Sequence, residues 1–276
     1  MRSRQKTFRV KPSALETLYC TFNNKSYVHP DPLEHLYKYK DIKDREIAGI
    51  VVASLAYGRV QSILKKTAIM LDIMGDSPYE FIRSTPAEYI CSMCKGFKHR
   101  LVTGAEIAKL LLNIQKVLTL YGSLNACFVS YISKSDENVL NALCKFANIV
   151  GEQTPHLIPD PSRGSACKRL NLYLRWMVRQ DNVDPGGWYG ITPAMLIVPL
   201  DVHMARISYL LGFTKRKTPD MAMALEITQS LKAFDKSDPV KYDFALTRYG
   251  IQKGLSIKNL LRELKTEGSL QREAII

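Results

Sequence analysis

The sequence lacks several features that mark whole classes of protein. It contains no run of about 18 apolar residues, so nothing in it predicts a helix that crosses a membrane. No apolar signal segment is found at its start, and six cysteines in a chain of 276 residues then indicate reduced thiols in a cytosol. Strictly alternating runs of β-branched residues are missing, which argues against a sheet protein. A cytoplasmic protein is the expectation.

Acidic residues are few compared with basic ones. The chain has 39 Lys and Arg against 26 Asp and Glu, which gives a net charge of +13. Such an excess favours a polyanionic partner, either nucleic acid or an anionic membrane surface. Since the membrane alternative rests on charge alone, we expect nucleic acid and no membrane. The basic, acid-free start "MRSRQKTFRVKPS" is expected to be disordered and able to touch phosphates.

Apolar residues recur with helical spacing almost everywhere, which predicts an all-α fold with at most incidental strands. The segment 41–75 is predicted to bend or break at Gly58, and its part Ile47–Ala56 is apolar on nearly every side. A helix of that kind belongs in the middle of a core. Further helices are predicted at residues 11–23, 31–38, 77–92, 104–121, 123–132, 136–150, 165–180, 201–212, 218–233 and 238–249.

The stretch from Pro161 to Gln180 contains five cations and no acid. On a helix, Lys168, Arg175 and Arg179 fall on one stripe, opposite an apolar face that rests on the core. The stripe is either a solvated basic face or a surface that follows a phosphate backbone. In the preceding loop, "PDPSRGSACK", free backbone N–H groups at the helix start could bind a phosphate.

Two segments carry a resemblance to a known family. "GSACKRLNLYLRW" is followed by "VPLDVHMARISYLLGF", with Lys168 and Asp201 33 residues apart, each at the start of a helix after a turn-rich loop. This arrangement resembles the helix-hairpin-helix DNA glycosylase superfamily, and its spacing looks most like the archaeal 8-oxoguanine glycosylase branch. The whole chain also looks like an uncharacterised bacterial family, frequent among Bacteroidetes, to which no activity is firmly attached.

The resemblance implies an all-α, helix-hairpin-helix glycosylase-like fold. It consists of a single domain over residues 1–276, in which a central bundle (43–150) and a hairpin-containing part (1–42 plus 151–276) pack with a cleft between them. The chain departs from the family in having only Gly164 in the hairpin "IPDPSRGS", and in lacking an iron–sulfur cysteine set. Cys91 and Cys94 form a lone C-x-x-C that is read as core, so no metal and no cofactor are expected.

Carried over by position, the resemblance makes Lys168 the amine nucleophile and Asp201 the assisting carboxylate. The non-catalytic alternative for Asp201 is a helix cap. For Lys168 the alternatives are a phosphate contact or an exposed helix residue, and Arg169 would then take the inward position in its place. The predicted nucleic-acid contacts are Arg59, Arg163, Gly164, Ser165, Arg169, Arg175, Arg179 and His203. The predicted base-pocket residues are Tyr57, Gln61 and Trp188, although Trp188 could equally fix its loop to the core.

These expectations lead to a functional hypothesis. The chain would be a monomeric DNA glycosylase and lyase that removes a damaged base, such as an oxidised purine, from double-stranded DNA through a Schiff base on Lys168. The alternative from another class is a non-catalytic nucleic-acid-binding protein with the same fold. A third option is a scaffold whose charge serves solubility alone. Breaking a base–sugar bond builds positive charge on the sugar, which is why a fixed carboxylate suits the first hypothesis.

Overall fold

The computed structural model describes residues 10–252 and 254–264. This part of the chain is mostly helical, which confirms the all-α prediction. The helices are α1 (Pro12–Phe22), α2 (Ile42–Leu55), α3 (Val60–Met74), α4 (Pro78–Ser84), α5 (Ala87–Met93), α6 (Gly104–Tyr121), α7 (Leu124–Val129), α8 (Leu140–Val150), α9 (Lys168–Val178), α10 (Val202–Leu211), α11 (Met221–Leu231), α12 (Tyr242–Ile251) and α13 (Ile257–Leu264). Within the described ranges, none of them is both long and apolar enough to cross a membrane.

Shorter elements connect these helices. Two strands, β1 (Lys98–His99) and β2 (Val102–Thr103), pair antiparallel as a small hairpin, in keeping with the expectation of incidental strands. Turns of 3-10 helix occupy Lys25–Tyr27, Pro32–Lys38, Pro161–Arg163 and Pro193–Met195. The basic segment at the start of the chain lies outside the described residues, apart from its last few positions.

Most of the predicted helices are present, with corrected ends. The segment 41–75 breaks where expected, because Gly58 has φ +103, a conformation that side chains with a Cβ rarely adopt. The predicted helix over 77–92 is two helices, since Pro86 interrupts the backbone hydrogen bonding between α4 and α5. The predicted helix over 31–38 is the 3-10 helix Pro32–Lys38, and α13 was not predicted from the sequence.

Helix α2 lies in the middle of the core. Every residue from Glu46 to Leu55 is buried, as the apolar character of Ile47–Ala56 predicts. Its closest partner is α9, and Gly49 allows the approach: a methyl group at Gly49 would come 3.0 Å from the ring of Tyr173. The pair α2 and α9 brings a helix of the predicted central bundle against one of the hairpin-containing part, in one connected apolar core. The division into two subdomains remains a prediction.

The only charged residue in the buried stretch of α2 is Glu46, and it serves as a cap for another helix. Its carboxylate accepts hydrogen bonds from the backbone N–H groups of Leu124 and Asn125, at the start of α7. The indole Nε1 of Trp188 donates a third hydrogen bond, of 3.0 Å. Burial nevertheless raises the pKa of Glu46 to about 7, because these three donors do not replace the lost hydration completely.

Glu46→Gln is therefore expected to change how stability depends on pH. The pKa of the folded carboxyl lies above its ordinary 4.5, so stability is lost as the pH rises through about 7. The variant cannot ionise, and relative to wild type it should gain up to about 3 kcal/mol of unfolding free energy between pH 5 and pH 8. Urea unfolding at both pH values measures this gain. The exposed Glu88→Gln should show none, and a pH-independent difference for Glu46→Gln would contradict the prediction.

Candidate functional site

A cleft of about 340 Å³ opens where α2, α3, α9, α10 and α12 come together. Its volume lies at the lower end of the range of about 300–1,000 Å³ that small-molecule pockets occupy. Tyr57 and Gly58 line it from the turn after α2, Lys168 from α9, Asp201 from the start of α10, and Asp243 from α12. Residues from both predicted subdomains therefore form its walls.

Lys168 is the first residue of α9. The preceding Cys167 has a left-handed backbone, with φ 44, which turns the chain sharply into the helix. Among the residues that the structure describes, no side chain caps this helix start. The side chain of Lys168 lies in the cleft and is 36% exposed, so its amine is accessible to a ligand.

Asp201 acts as a helix cap and also reaches the lysine. Its Oδ1 accepts hydrogen bonds of 2.9 Å from the backbone N–H groups of His203 and Met204, at the start of α10. Its Oδ2 lies 3.3 Å from Nζ of Lys168. The two residues singled out by their spacing thus form an ion pair in the cleft. Because the carboxylate has two oxygens, capping leaves one of them free for the amine.

Asp243 brings a second carboxylate to the same cleft. It is buried, and its Oδ2 accepts a hydrogen bond from Nη1 of Arg175. Its Oδ1 has no hydrogen-bond partner in the part of the chain that the structure describes. Burial raises the pKa of Asp243 to about 6: Arg175 and Lys168 lower it and Asp201 raises it further, but the loss of hydration dominates.

Arg248 adds a buried cation to the wall formed by α12. It pairs with Asp31 at 3.3 Å, and its guanidinium lies over the ring of Phe244. Its Nε is without a partner among residues 10–252 and 254–264. The deep wall of the cleft therefore combines buried charges of both signs with two polar atoms whose hydrogen bonding is incomplete.

Arg169, a predicted phosphate contact, is half-buried against the end of α2. Its guanidinium donates to the carbonyl oxygens of Ser54, at the end of α2, and of His156. It also stacks over the ring of Tyr57, 4.8 Å from the centroid. Two of its five N–H donors are thus used by backbone carbonyls, and its predicted contact with a phosphate remains a prediction. Lys168, and not Arg169, is the residue beside Asp201.

Arg175 and Arg179 correct the prediction of an exposed cationic stripe. Each side chain is only 3% exposed, and both bind Asp184, which has no exposed surface. Arg175 donates through Nε to one carboxylate oxygen, and Arg179 donates through Nη1 to the other. The fully buried carboxylate holds both guanidinium groups in the interior, so neither can follow a phosphate backbone.

Two further carboxylates complete the surroundings of Arg179. Its Nη2 donates to Asp181 at 2.7 Å, and its Nε lies 2.9 Å from both oxygens of Asp238. The guanidinium is therefore surrounded by three acidic residues from outside α9. We call Arg175, Arg179 and their partners Asp181, Asp184, Asp238 and Asp243 the buried ion network.

Of the predicted base-pocket residues, only Tyr57 lines the cleft. Trp188 is a core residue, because its ring packs edge-on against Tyr173 and its Nε1 is bound by Glu46. The alternative that the aromatic fixes its loop to the core is therefore the correct one. Gln61 is exposed on the first turn of α3 and does not line the cleft.

His203 lines the cleft, but its side chain leans against α12. A methyl group placed on Gly250 would come 2.5 Å from Nδ1 of His203, so only glycine permits this approach. The backbone N–H of His203, rather than its ring, contacts Asp201. Its predicted contact with nucleic acid remains a prediction.

The predicted hairpin residues Arg163, Gly164 and Ser165 are exposed and lie outside the cleft lining. Gly164 has φ +80, and its carbonyl oxygen accepts a hydrogen bond from the backbone N–H of Met221. This connection ties the loop before α9 to the start of α11. The contact of this loop with phosphates remains a prediction, as does that of the exposed Arg59 beside the cleft.

Sequence reasoning missed three residues of the cleft and its rim: Arg100, Asp243 and Arg248. Arg100, in the turn between β1 and β2, lies over Gly58, where a methyl group would come 3.0 Å from its Nη1. A signal for the other two exists in "YDFALTRYG", since an acid and an arginine interrupt a predicted helix that is otherwise largely apolar. Their common position became visible only when α12 was packed against α9 and α10.

Cys91 and Cys94 lie at the end of α5 and just after it, one exposed and the other buried. In the described ranges, no group of three or more His, Cys, Asp or Glu side chains is placed to hold a metal ion.

Arg179→Ala is expected to destabilise the fold. Removing one partner from a buried network leaves uncompensated carboxylates, which costs about 3–5 kcal/mol. Chemical denaturation measures this loss, and Arg163→Ala, at a side chain that is 84% exposed, serves as the control with a change below about 0.5 kcal/mol. An Arg179→Ala chain of wild-type stability with weakened DNA binding would instead support the original interpretation of a phosphate contact.

Comparison with known proteins gives one match. No curated protein and no solved structure matches the chain. Residues 31–252 match the model of a family described as "Protein of unknown function (DUF2400)". The matched region includes Lys168, Asp201 and Asp243, and all of the cleft lining except Pro30. Since the match spans most of its length, the chain belongs to the DUF2400 family.

Proposed function

We propose that the protein is a DNA glycosylase and lyase that removes a damaged base, such as an oxidised purine, from double-stranded DNA. The observation that carries the proposal is the ion pair between Lys168 and Asp201, 3.3 Å apart in a cleft of about 340 Å³. An accessible amine and a fixed carboxylate are the two groups that base removal through a Schiff base needs. The proposed helix-hairpin-helix glycosylase-like architecture accords with the all-α fold and with the position of the cleft.

The chemistry proceeds through the amine of Lys168. Its neutral form attacks C1′ and forms a C–N bond, while the bond from C1′ to the base breaks and its electron pair leaves with the base nitrogen, which takes up a proton. The new secondary ammonium then loses a proton as the sugar ring opens. O4′ receives a proton, and a C1′=N bond remains, which borohydride reduces to a stable amine.

Asp201 would stabilise the positive charge that builds on the sugar. Its hydrogen bonds from the first turn of α10 hold the carboxylate in one orientation before substrate arrives, so little reorganisation is needed during the reaction. The oxygen that does not cap the helix faces the amine that attacks. The same geometry therefore directs the nucleophile and the stabilising charge to one carbon.

Binding to DNA rests on different residues from those of the buried ion network. Net charge +13 favours a polyanion, and the exposed side chains of Arg59 and Arg100 flank Gly58 at the edge of the cleft. Lys168 supplies a third cation within the cleft. A strand whose backbone contacts this edge could present a flipped nucleotide to the cleft.

The test of the proposed function is borohydride trapping on duplexes that carry 8-oxoguanine, uracil or an abasic site. Wild type should form a covalent adduct with at least one of them, and Lys168→Gln should form none because the nucleophile is gone. Asp201→Asn keeps an oxygen for the helix cap but loses the charge, so base removal should fall by at least about a hundredfold while DNA binding survives.

Two controls make the trapping experiment decisive. Lys134→Ala removes an exposed cation that lies outside the cleft, and its trapping should equal that of wild type. A wild-type chain that binds DNA but traps none of the three duplexes would overturn the proposal in favour of a non-catalytic nucleic-acid-binding protein. Equal trapping by Lys168→Gln would exclude this lysine as the nucleophile.

Arg59→Ala and Arg100→Ala are expected to weaken DNA binding in a salt-dependent way. If each arginine neutralises one phosphate, each variant should reduce the slope of log affinity against log salt by about 1, because one fewer counterion is released. Fluorescence anisotropy at salt concentrations from about 50 to about 300 mM measures the affinity and therefore the slope. Lys134→Ala should keep the wild-type slope, and unchanged slopes for both arginine variants would place the DNA elsewhere on the surface.

A further inference from the structure

The proposed reaction requires a group that accepts a proton from the amine of Lys168. The amine of Lys168 is an ammonium while it pairs with Asp201, and it must lose a proton before it can attack a carbon. Asp201 is poorly suited to keep that proton. Two backbone N–H groups at a helix start already donate to it, and its proposed role requires a negative charge.

The cleft contains another acceptor. Asp243 is 3% exposed, lines the same cleft as Lys168, and has one oxygen, Oδ1, to which no group in the described residues donates a hydrogen bond. A buried carboxylate oxygen without a donor is rare in a native structure, since the lost hydration costs several kcal/mol and is normally compensated. An acceptor of this kind beside a reactive cleft points to a function that uses it.

The charges around Asp243 are compatible with taking up a proton. From α9, Arg175 binds Oδ2, and Lys168 attracts the carboxylate. From the start of α10, Asp201 repels it.

Two further charges, one on α12 and one on a helix packed against it, are already paired. On α12 itself, Arg248 is held by Asp31. From α1, Glu16 is held by Tyr242 and Lys241. Because burial dominates the whole environment, the pKa of Asp243 is raised to about 6, much closer to neutrality than that of an ordinary aspartate.

We infer that Asp243 is the proton acceptor for Lys168. This inference rests on the proposed function. An N–H bond of the ammonium breaks and its electron pair remains on Nζ, while the proton passes to Oδ1 of Asp243, directly or through one water molecule in the cleft. When the base leaves with the electron pair of its bond to C1′, the proton on Asp243 neutralises the departing base nitrogen and the carboxylate is restored.

Arg175 has a positioning role in this transfer. It holds Oδ2 on the side of Asp243 away from the free oxygen, and it is itself fixed by Asp184. Arg175 and Asp184 thus orient the acceptor without consuming its free oxygen. The proposed reaction thus uses two separate carboxylates: Asp201 stays negative, and Asp243 exchanges a proton.

The test is the pH profile of borohydride trapping on an abasic duplex, where the amine attacks C1′ and water leaves but no base has to depart. At about pH 6.5–7, the Asp243→Asn variant should be trapped at least about tenfold more slowly than wild type. Toward pH 9, the difference should shrink to about twofold, because hydroxide then removes the proton from the lysine. Asp243→Glu, which keeps an acceptor, should recover part of the rate near neutrality.

Asp238→Asn is the matched control. It removes one carboxylate charge from the same buried ion network, at a residue that binds Arg179 and does not line the cleft. Its trapping rate should stay within about twofold of wild type at every pH, and thermal unfolding of both variants shows whether the fold is intact.

The outcomes separate the inference from the proposed function. The inference would be overturned if Asp243→Asn were slower by the same factor at every pH, or if its rate were unchanged. An equal loss of rate in Asp238→Asn would also overturn it. All three results leave trapping by Lys168 in place. A wild-type chain that traps nothing would overturn the proposed function, and this inference with it.

Discussion

The sharing of Asp184 by Arg175 and Arg179 is the interaction on which the arrangement of the cleft depends. All three groups are buried, and a buried charge without its partner costs several kcal/mol. Any rotation or shift of α9 would break these contacts, so the helix has a single favourable register. Since Lys168 begins that helix, the same contacts decide that its amine faces Asp201 and that Arg169 faces the end of α2.

The sequence could predict most of the helices and could single out Lys168 and Asp201, but it could not predict where the basic stripe faces. The absence of acid between residues 161 and 180 is real, yet the first neutralising residue, Asp181, follows immediately. The other acids are Asp184, nearby, and Asp238, which comes from a distant part of the chain. The net charge of a short sequence segment reflects only its local composition. The burial of an arginine side chain depends on which acidic residues the fold brings to it.

A similar limit applies to Trp188. An aromatic residue among glycines fits a loop that stacks on a base, and it fits equally a loop fixed to a core. The deciding fact is the position of Glu46, 142 residues away, whose buried carboxylate needs the indole N–H as a donor. Local spacing does not encode which distant polar groups bond to each other, which explains why the helix start at Asp201 was predictable and the inner wall of the cleft was not.

The cleft combines three distinct electrostatic tasks in a small volume. At its edge, Arg59 and Arg100 remain hydrated and suited to phosphates. In the middle, capping by backbone N–H groups holds Asp201 while its second oxygen meets Lys168. In the deep wall, burial makes it easier for the carboxylate of Asp243 to take up a proton than it is for an exposed one. Because each carboxylate is held by different donors, the proposed reaction can keep one charged while the other exchanges a proton, which a single aspartate could not do.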